Sequence, residues 1–223
     1  MIRKFFRFII KILLGLFLFS IAIVVIYKWV PVPLTPLMVI RYFENPEEDI
    51  QHDWVAIDEI SGHLQKAVIA SEDQNFPTHS GFDFEAIKEA MEDNRNGRKI
   101  RGASTISQQT AKNVFLYPGR TWFRKGLEAY FTFLIEIIWG KERILEVYLN
   151  SIEMGKGVYG AQAASLHWFG KDAVKLGAYE AAAIAAVLPN PRVYRASPAS
   201  SFITNRKNWI VRQMQNLGKL SLD

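Results

Sequence analysis

Residues 70–83 read ASEDQNFPTHSGFD, and the parsing of that run decides the rest of the chain. Residues 63–70, just before it, carry apolar side chains at amphipathic spacing. The pattern breaks at Asn75, Pro77, Ser80 and Gly81, residue types that favour turns. Helical spacing resumes over residues 83–91. The spacing therefore predicts helix, loop, helix, with the acid pair Glu72 and Asp73 where the first regular stretch ends. A carboxylate at an element end beside apolar residues such as Phe76 can have a raised pKa and serve as a base. A solvated Glu-Asp pair at a helix terminus is the other reading, and within this run it is the simpler one. His79 lies in the same loop.

Towards the N-terminus the chain becomes apolar. Residues 12–27 hold only Gly15, Ser20 and Tyr27 as interruptions, and with flanking residues the stretch 8–30 is long enough for a bilayer. Arg3, Lys4, Arg7 and Lys11 all precede the span, so the positive-inside rule places the N-terminus in the cytoplasm and the rest of the chain across the membrane. Bulky Lys28-Trp29-Val30-Pro31 offers no small-x-small cleavage site, which favours a retained anchor over a signal peptide. Pro31, Pro33 and Pro36 predict a stiff extended connector. Three parts are expected: residues 1–30 as cytoplasmic tip and anchor, 31–53 as connector, and 54–223 as one folded domain.

Downstream, apolar residues recur at helical spacing over 122–139, 141–150, 178–188 and 203–217, and strand signals are weak. Glu142 and Glu146 fall opposite the apolar face and read as solvated. The folded part is expected to be mainly α with long functional loops. The 223 residues contain no cysteine, which excludes disulfides, thiol nucleophiles and Cys-ligated zinc. A net charge of +5 fits an anionic partner without choosing among phosphate, nucleic acid and anionic lipid.

Three further runs bear on chemistry. In RGASTISQQTAKNVFL, residues 101–116, Gly102 permits tight geometry, and Ser104 reads as the N-cap of a helix running through Asn113. A helix N-terminus beside Arg101 suits an anion. Gln108 with Lys112, and Gln109 with Asn113, form polar faces on that helix; a plain solvated face is the alternative. In GRTWFRKGLE, residues 119–128, three cations (Arg120, Arg124 and Lys125) crowd Glu128, where a surface ion pair is the alternative. The string GKGVYG, residues 155–160, matches G-x-G-x-x-G but follows a helix rather than a strand, so its glycines read as turn formers. His52, His63, His79 and His167 lack metal-ligand spacing. No S-x-x-K or G-x-S-x-G occurs, so acyl-serine chemistry has no nucleophile.

Two glutamates remain, Glu72 without nearby cations in sequence and Glu128 among them. Paired carboxylates suggest glycosyl chemistry. A hydrolase must protonate a sugar alkoxide. A transferase that expels a diphosphate chiefly needs positive charge, which Lys112, Arg120, Arg124 and Lys125 would supply. A carboxylate among them could also hold a divalent ion.

On these motifs the chain resembles the peptidoglycan glycosyltransferases of family 51, the module found in class A penicillin-binding proteins and in monofunctional transglycosylases. The resemblance covers residues 67–194. It rests on ASEDQNF with HSGFD, RGASTISQQTAKN, RKGLEAY, KERILEVYLN with GKGVYGAQAA, and LPNPRVY, in that order. It implies a mainly α, lysozyme-like two-lobed domain behind one N-terminal transmembrane helix. Glu72 would then be the general base and Glu128 would assist at the diphosphate or at a divalent cation (Mg or Mn). Lys112, Arg120, Arg124 and Lys125 would hold phosphates. Ser104, Gln108, Gln109 and Asn113 would line the cleft, while Asp73, Phe76, His79 and Gly81 would shape the base loop. Glu146, Tyr148 and Asn150, from the fourth motif, would be chiefly structural. Ala103 and Leu127 depart from the family pattern without removing a charge.

The implied substrates are lipid II and undecaprenyl-diphosphate-linked glycan at the outer face of a cell inner membrane. Division or elongation proteins would be partners, and nucleic acid would not. Two alternatives stay open: a lysozyme-like peptidoglycan hydrolase, and a non-enzymatic membrane adaptor of the cell-wall machinery.

Overall fold

The computed structural model describes residues 2–95, 104–119 and 121–222, and the architecture is built mainly from helices. The first, α1 (Ile2–Tyr27), has 26 residues and is long and apolar enough to cross a membrane. Most of its side chains point outward, but its end is fastened to the folded domain. Trp139 Nε1 donates to the Val24 carbonyl at 2.7 Å, and Ser20 and Tyr130 share a hydroxyl hydrogen bond of 2.8 Å. Arg143 donates to the carbonyls of Tyr27 and Val30.

The connector is not the extended rod expected from its prolines. Pro36 opens a helix, α2 (Pro36–Glu44), capped by the Thr35 hydroxyl, which accepts from Met38 N. Proline at the first helical position gives up an N–H that had no partner in any case, and its φ already suits a helix. Met38 is fully buried, so α2 has one fixed seat against the domain.

After β1 (Gln51–His52) come α3 (Gly62–Glu72), α4 (Phe84–Arg95), α5 (Ile106–Phe115), α6 (Trp122–Ile138) and α7 (Lys141–Ser151). Then follow β2 (Glu153–Gly155), β3 (Val158–Tyr159), α8 (Ala161–Phe169), α9 (Ala178–Val187) and α10 (Ser201–Asn216). The spans expected over 122–139, 141–150, 178–188 and 203–217 hold to within a residue or two at each end, whereas the helix expected over 83–91 runs on to Arg95. The small sheet was not foreseen: β3 runs parallel to β1 and antiparallel to β2, with Gln51 opposite Val158. Strands of two or three residues are too short for alternation to be read from sequence.

The G-x-G-x-x-G string falls at this β2–β3 hairpin, so it opens on a strand, Glu153–Gly155, and not directly after a helix as expected. Gly160 sits at φ +84°, and a Cβ there would meet the Asn150 carbonyl at 2.8 Å, so it is a turn glycine, as expected. Alanines 181–183, 185 and 186 are buried on α9, and their small side chains let α3 and α10 pack closely on it.

Candidate active site

Glu72 is the last residue of α3 and Asp73 its C-cap. The two carboxylates have different surroundings. Asp73 is buried and turns back into the protein, where Oδ2 accepts from the Ile106 N–H at the start of α5 (2.9 Å). A negative charge there satisfies an orphan donor and complements the helix dipole. His79 also bonds Asp73 through Nε2, at 2.9 Å, while its Nδ1 accepts from Gly81 N. Nδ1 therefore carries no proton, and Nε2–H is the donor to Asp73.

Glu72 opens instead onto a cleft of about 1010 Å³ lined by Ser104, Thr105, Gln109, Tyr194, Arg206 and Trp209, among others. One Glu72 oxygen accepts from Gln109 Nε2 at 3.1 Å. Gln109 Oε1 in turn accepts from the buried Tyr148 hydroxyl at 3.2 Å, which fixes which way the amide faces. Burial raises the Glu72 pKa, against opposing contributions from the Gln109 hydrogen bond and the Arg206 and Lys112 charges. Burial likewise pushes the Tyr148 phenol far up, so it stays protonated as the donor to Gln109.

The base loop is held from both sides. Thr105 Oγ1 donates to the Gly81 carbonyl at 2.7 Å. Gly81 has φ +87°, and an added Cβ would lie 2.8 Å from a Thr132 methyl and 2.9 Å from Glu136 Cγ. Phe76 is fully buried, with the Lys141 ammonium over its ring. Lys141 pairs with Glu136 at 2.7 Å, and Ser107 donates to the same Glu136 oxygen.

The cation cluster lies on α6. Glu128 is 3% exposed, with one oxygen bonded by Arg124 Nη1 at 2.7 Å and the other by Lys125 Nζ. This is a buried arrangement, unlike the surface pair that the spacing alone allowed. Glu128 lines neither the Glu72 cleft nor the second hollow, which is bounded by Lys112 and Asn113 of α5 and by Leu37 and Arg41 of α2. Lys112 connects the two carboxylates: burial lowers its pKa, and the charges of Glu128 and Glu72 both act to raise it.

A divalent ion wants roughly six oxygen ligands. Both Glu128 oxygens already face cations, and no group of three or more metal-ligating side chains occurs among the described residues. The donor set at Glu128 therefore does not fit a divalent ion.

Several expected placements change. The N-cap of α5 is Thr105, not Ser104; Ser104 is exposed and lines the cleft. Gln108 is only 4% exposed, and its Oε1 accepts from Thr105 N, so it closes a capping box rather than lining the cleft. Glu146 is not simply solvated, because it pairs with Arg143, the residue that holds the end of α1. Asn150 joins α7 to the connector side through the Val55 backbone, and His52 bonds the Asn150 carbonyl. Arg101, Gly102, Ala103 and Arg120 lie outside the described residues.

Sequence reasoning missed Arg41, Thr105, Glu136, Lys141 and Arg206. Thr105 and Gln108 did carry the T-x-x-Q signature of a capping box. Arg124, Glu128, Thr132 and Glu136 formed a polar stripe four residues apart on α6.

A buried carboxylate at a cleft, with lysine and arginine side chains nearby on a helical domain, is an arrangement suited to a glycosyl-transfer enzyme. Residues 39–215 match the family described as Transglycosylase, and the chain belongs to that family. Among its relatives is the biosynthetic peptidoglycan transglycosylase of Shewanella oneidensis, 49% identical over 223 residues, covering 99% of this chain and 96% of the relative. That of Pseudomonas entomophila is 55% identical over 203 residues, covering 89% and 86%. That of Bacteroides thetaiotaomicron is 50% identical over 222 residues, covering 98% and 90%.

Proposed function

We propose that this transglycosylase polymerises lipid II into β-1,4-linked glycan strands. Glu72 accepts the proton of the acceptor 4-hydroxyl. The freed oxygen attacks C1 of the lipid-linked N-acetylmuramic acid. The C1–O bond breaks with inversion, and its electron pair departs with undecaprenyl diphosphate. Lys112, Arg124 and Lys125 meet the leaving charge, with Arg120 in the same role by resemblance. Glu128 keeps Arg124 and Lys125 in place. No step is assigned to a metal. Asp73, Phe76, His79 and Gly81 hold the base loop, Ser104 and Gln109 contact the sugars, and Asn113 stands beside Lys112 on the diphosphate side.

One observation carries the reading: Glu72 faces an open cleft, yet burial keeps its pKa raised and a single oriented amide holds one oxygen. A base poised closer to neutrality abstracts a hydroxyl proton more effectively. The relatives, named as biosynthetic peptidoglycan transglycosylases, support the substrate class. The basic residues in the first turns of α1, Arg3, Lys4, Arg7 and Lys11, support a cytoplasmic N-terminus, with the catalytic domain at the outer face of the inner membrane.

The test is polymer formation from purified lipid II, with and without a chelator. Glu72→Gln should lose roughly 10²- to 10⁴-fold in rate, and the chelator should leave the wild-type rate unchanged. Release of soluble fragments from finished peptidoglycan without polymerisation would point to a hydrolase instead.

A further inference from the structure

The second hollow, of about 480 Å³, has a polar and an apolar side. Arg41, Lys112 and Asn113 supply the first; Leu37, Leu116 and Pro118 supply the second. Its volume falls within the range of small-molecule sites. Leu37 and Arg41 of its wall come from α2, a helix that the sequence did not announce. That helix cannot drift, because Met38 and Thr35 are buried beneath it. The chain on either side is fastened as well, by Arg143 at the end of α1 and by the Arg192–Glu48 ion pair beyond α2.

The cations in this hollow are incompletely partnered. Arg41 donates through Nη1 to Glu44, but its Nε is buried without a hydrogen-bond partner among the described residues. Glu44, the partner of that Nη1, is about half exposed. Lys112 feels Glu128 and Glu72 at a distance, and Arg124 and Lys125 add positive charge from α6. Two cations beside an apolar wall, where the chain leaves its membrane helix, suit an anion carrying a hydrocarbon tail.

We propose that α2 and α5 together form the seat of a prenyl diphosphate, with Arg41 as a phosphate ligand alongside Lys112. Leu37, Leu116 and Pro118 receive the first isoprene units. The assignment rests on the reading of the chain as a transferase that expels a lipid diphosphate. It adds a residue and an element outside the motifs that carried the resemblance.

The experiment is calorimetric titration of the full-length protein in detergent micelles, with empty-micelle heats subtracted. The probes are farnesyl diphosphate, inorganic pyrophosphate and farnesol. Farnesyl diphosphate should bind at least tenfold more tightly than either of the others. Arg41→Gln should weaken it about tenfold or more, the scale of one charge-assisted contact. Arg41→Lys should recover part of that loss, and Leu37→Asn should narrow the gap between farnesyl diphosphate and pyrophosphate. Unchanged affinity in Arg41→Gln would overturn the proposal, as would pyrophosphate binding as tightly as farnesyl diphosphate in the wild type. Should Arg41→Gln fail to fold, Leu37→Asn decides, and an unchanged gap there counts against the hollow.

Glu72→Gln separates this idea from the catalytic one. It should bind farnesyl diphosphate normally while failing to polymerise. An active Glu72→Gln would sink the base assignment and leave the hollow standing, whereas an Arg41→Gln variant of full affinity would sink the hollow alone.

Discussion

The Gln109 amide gives one hydrogen to Glu72 and accepts one from Tyr148, so a single side chain orients the proposed base. Gln109→Ala removes a contact that lowers the Glu72 pKa and leaves a buried phenol without its acceptor. The acid limb of kcat/KM should then move to higher pH, and stability should fall by about 1–3 kcal/mol; a pH–rate profile and a thermal melt check the two effects. For Glu72 itself the linkage sign is set by its raised pKa. Its favourable contribution is complete below the unfolded-state pKa and is lost as pH rises through the folded one. Glu72→Gln should therefore melt higher than wild type at neutral pH, and the difference should shrink as the buffer is acidified towards the ordinary carboxylate range. At this scale the sequence located Glu72, Asp73 and Gln109 but left Glu72 open between base and solvated residue. Burial argues against the solvated reading, and the residues responsible lie far along the chain.

Among the elements, α5 and α6 do most of the positioning. The start of α5 takes Asp73 on its first free N–H and Thr105 as its cap, so the base loop and the helix are fixed by the same few bonds. Thr105→Ala should cost about 1–2 kcal/mol through the lost cap, measured by thermal unfolding. On α6, Glu136 ties Lys141 and Ser107 beside Phe76. Both partners of that ion pair are largely shielded from solvent. Glu136→Ala leaves the lysine uncompensated and should destabilise by about 3 kcal/mol, with kcat falling more than KM rises as the base loop loosens. Helical spacing made both elements legible. Serine is the better intrinsic N-cap, which favours Ser104 in the sequence, but the reach of Gln108 back to Thr105 N makes Thr105 the cap.

Across the whole molecule, the membrane helix and the catalytic domain are joined by more than a tether. Trp139 and Arg143 donate to backbone carbonyls at the end of α1, and Glu146 and the Trp54 ring hold Arg143 in place. Arg143→Ala should leave the helices folded but free this junction. Limited proteolysis at residues 31–35 should accelerate several-fold in detergent, and an unchanged cleavage rate would mean that the junction is held elsewhere. The same junction places α2 against α5, which makes the basic hollow possible.

The sequence by itself determined the span, the helices and the order of the motifs, because apolar periodicity, charge bias and local strings are properties of neighbouring residues. The tertiary structure alone decided which polar residues face a cleft and which are sealed. Gln108 went inside, Glu128 was locked between two cations, and Arg41 came to line the same hollow as Lys112. The physical reason is that a side chain's hydration, and with it its pKa and its free hydrogen-bonding capacity, depends on what packs over it. Apart from the neighbouring Asp73, the charges and the hydrogen bond that act on Glu72 come from α5 and α10, tens of residues away in the chain and adjacent only after folding.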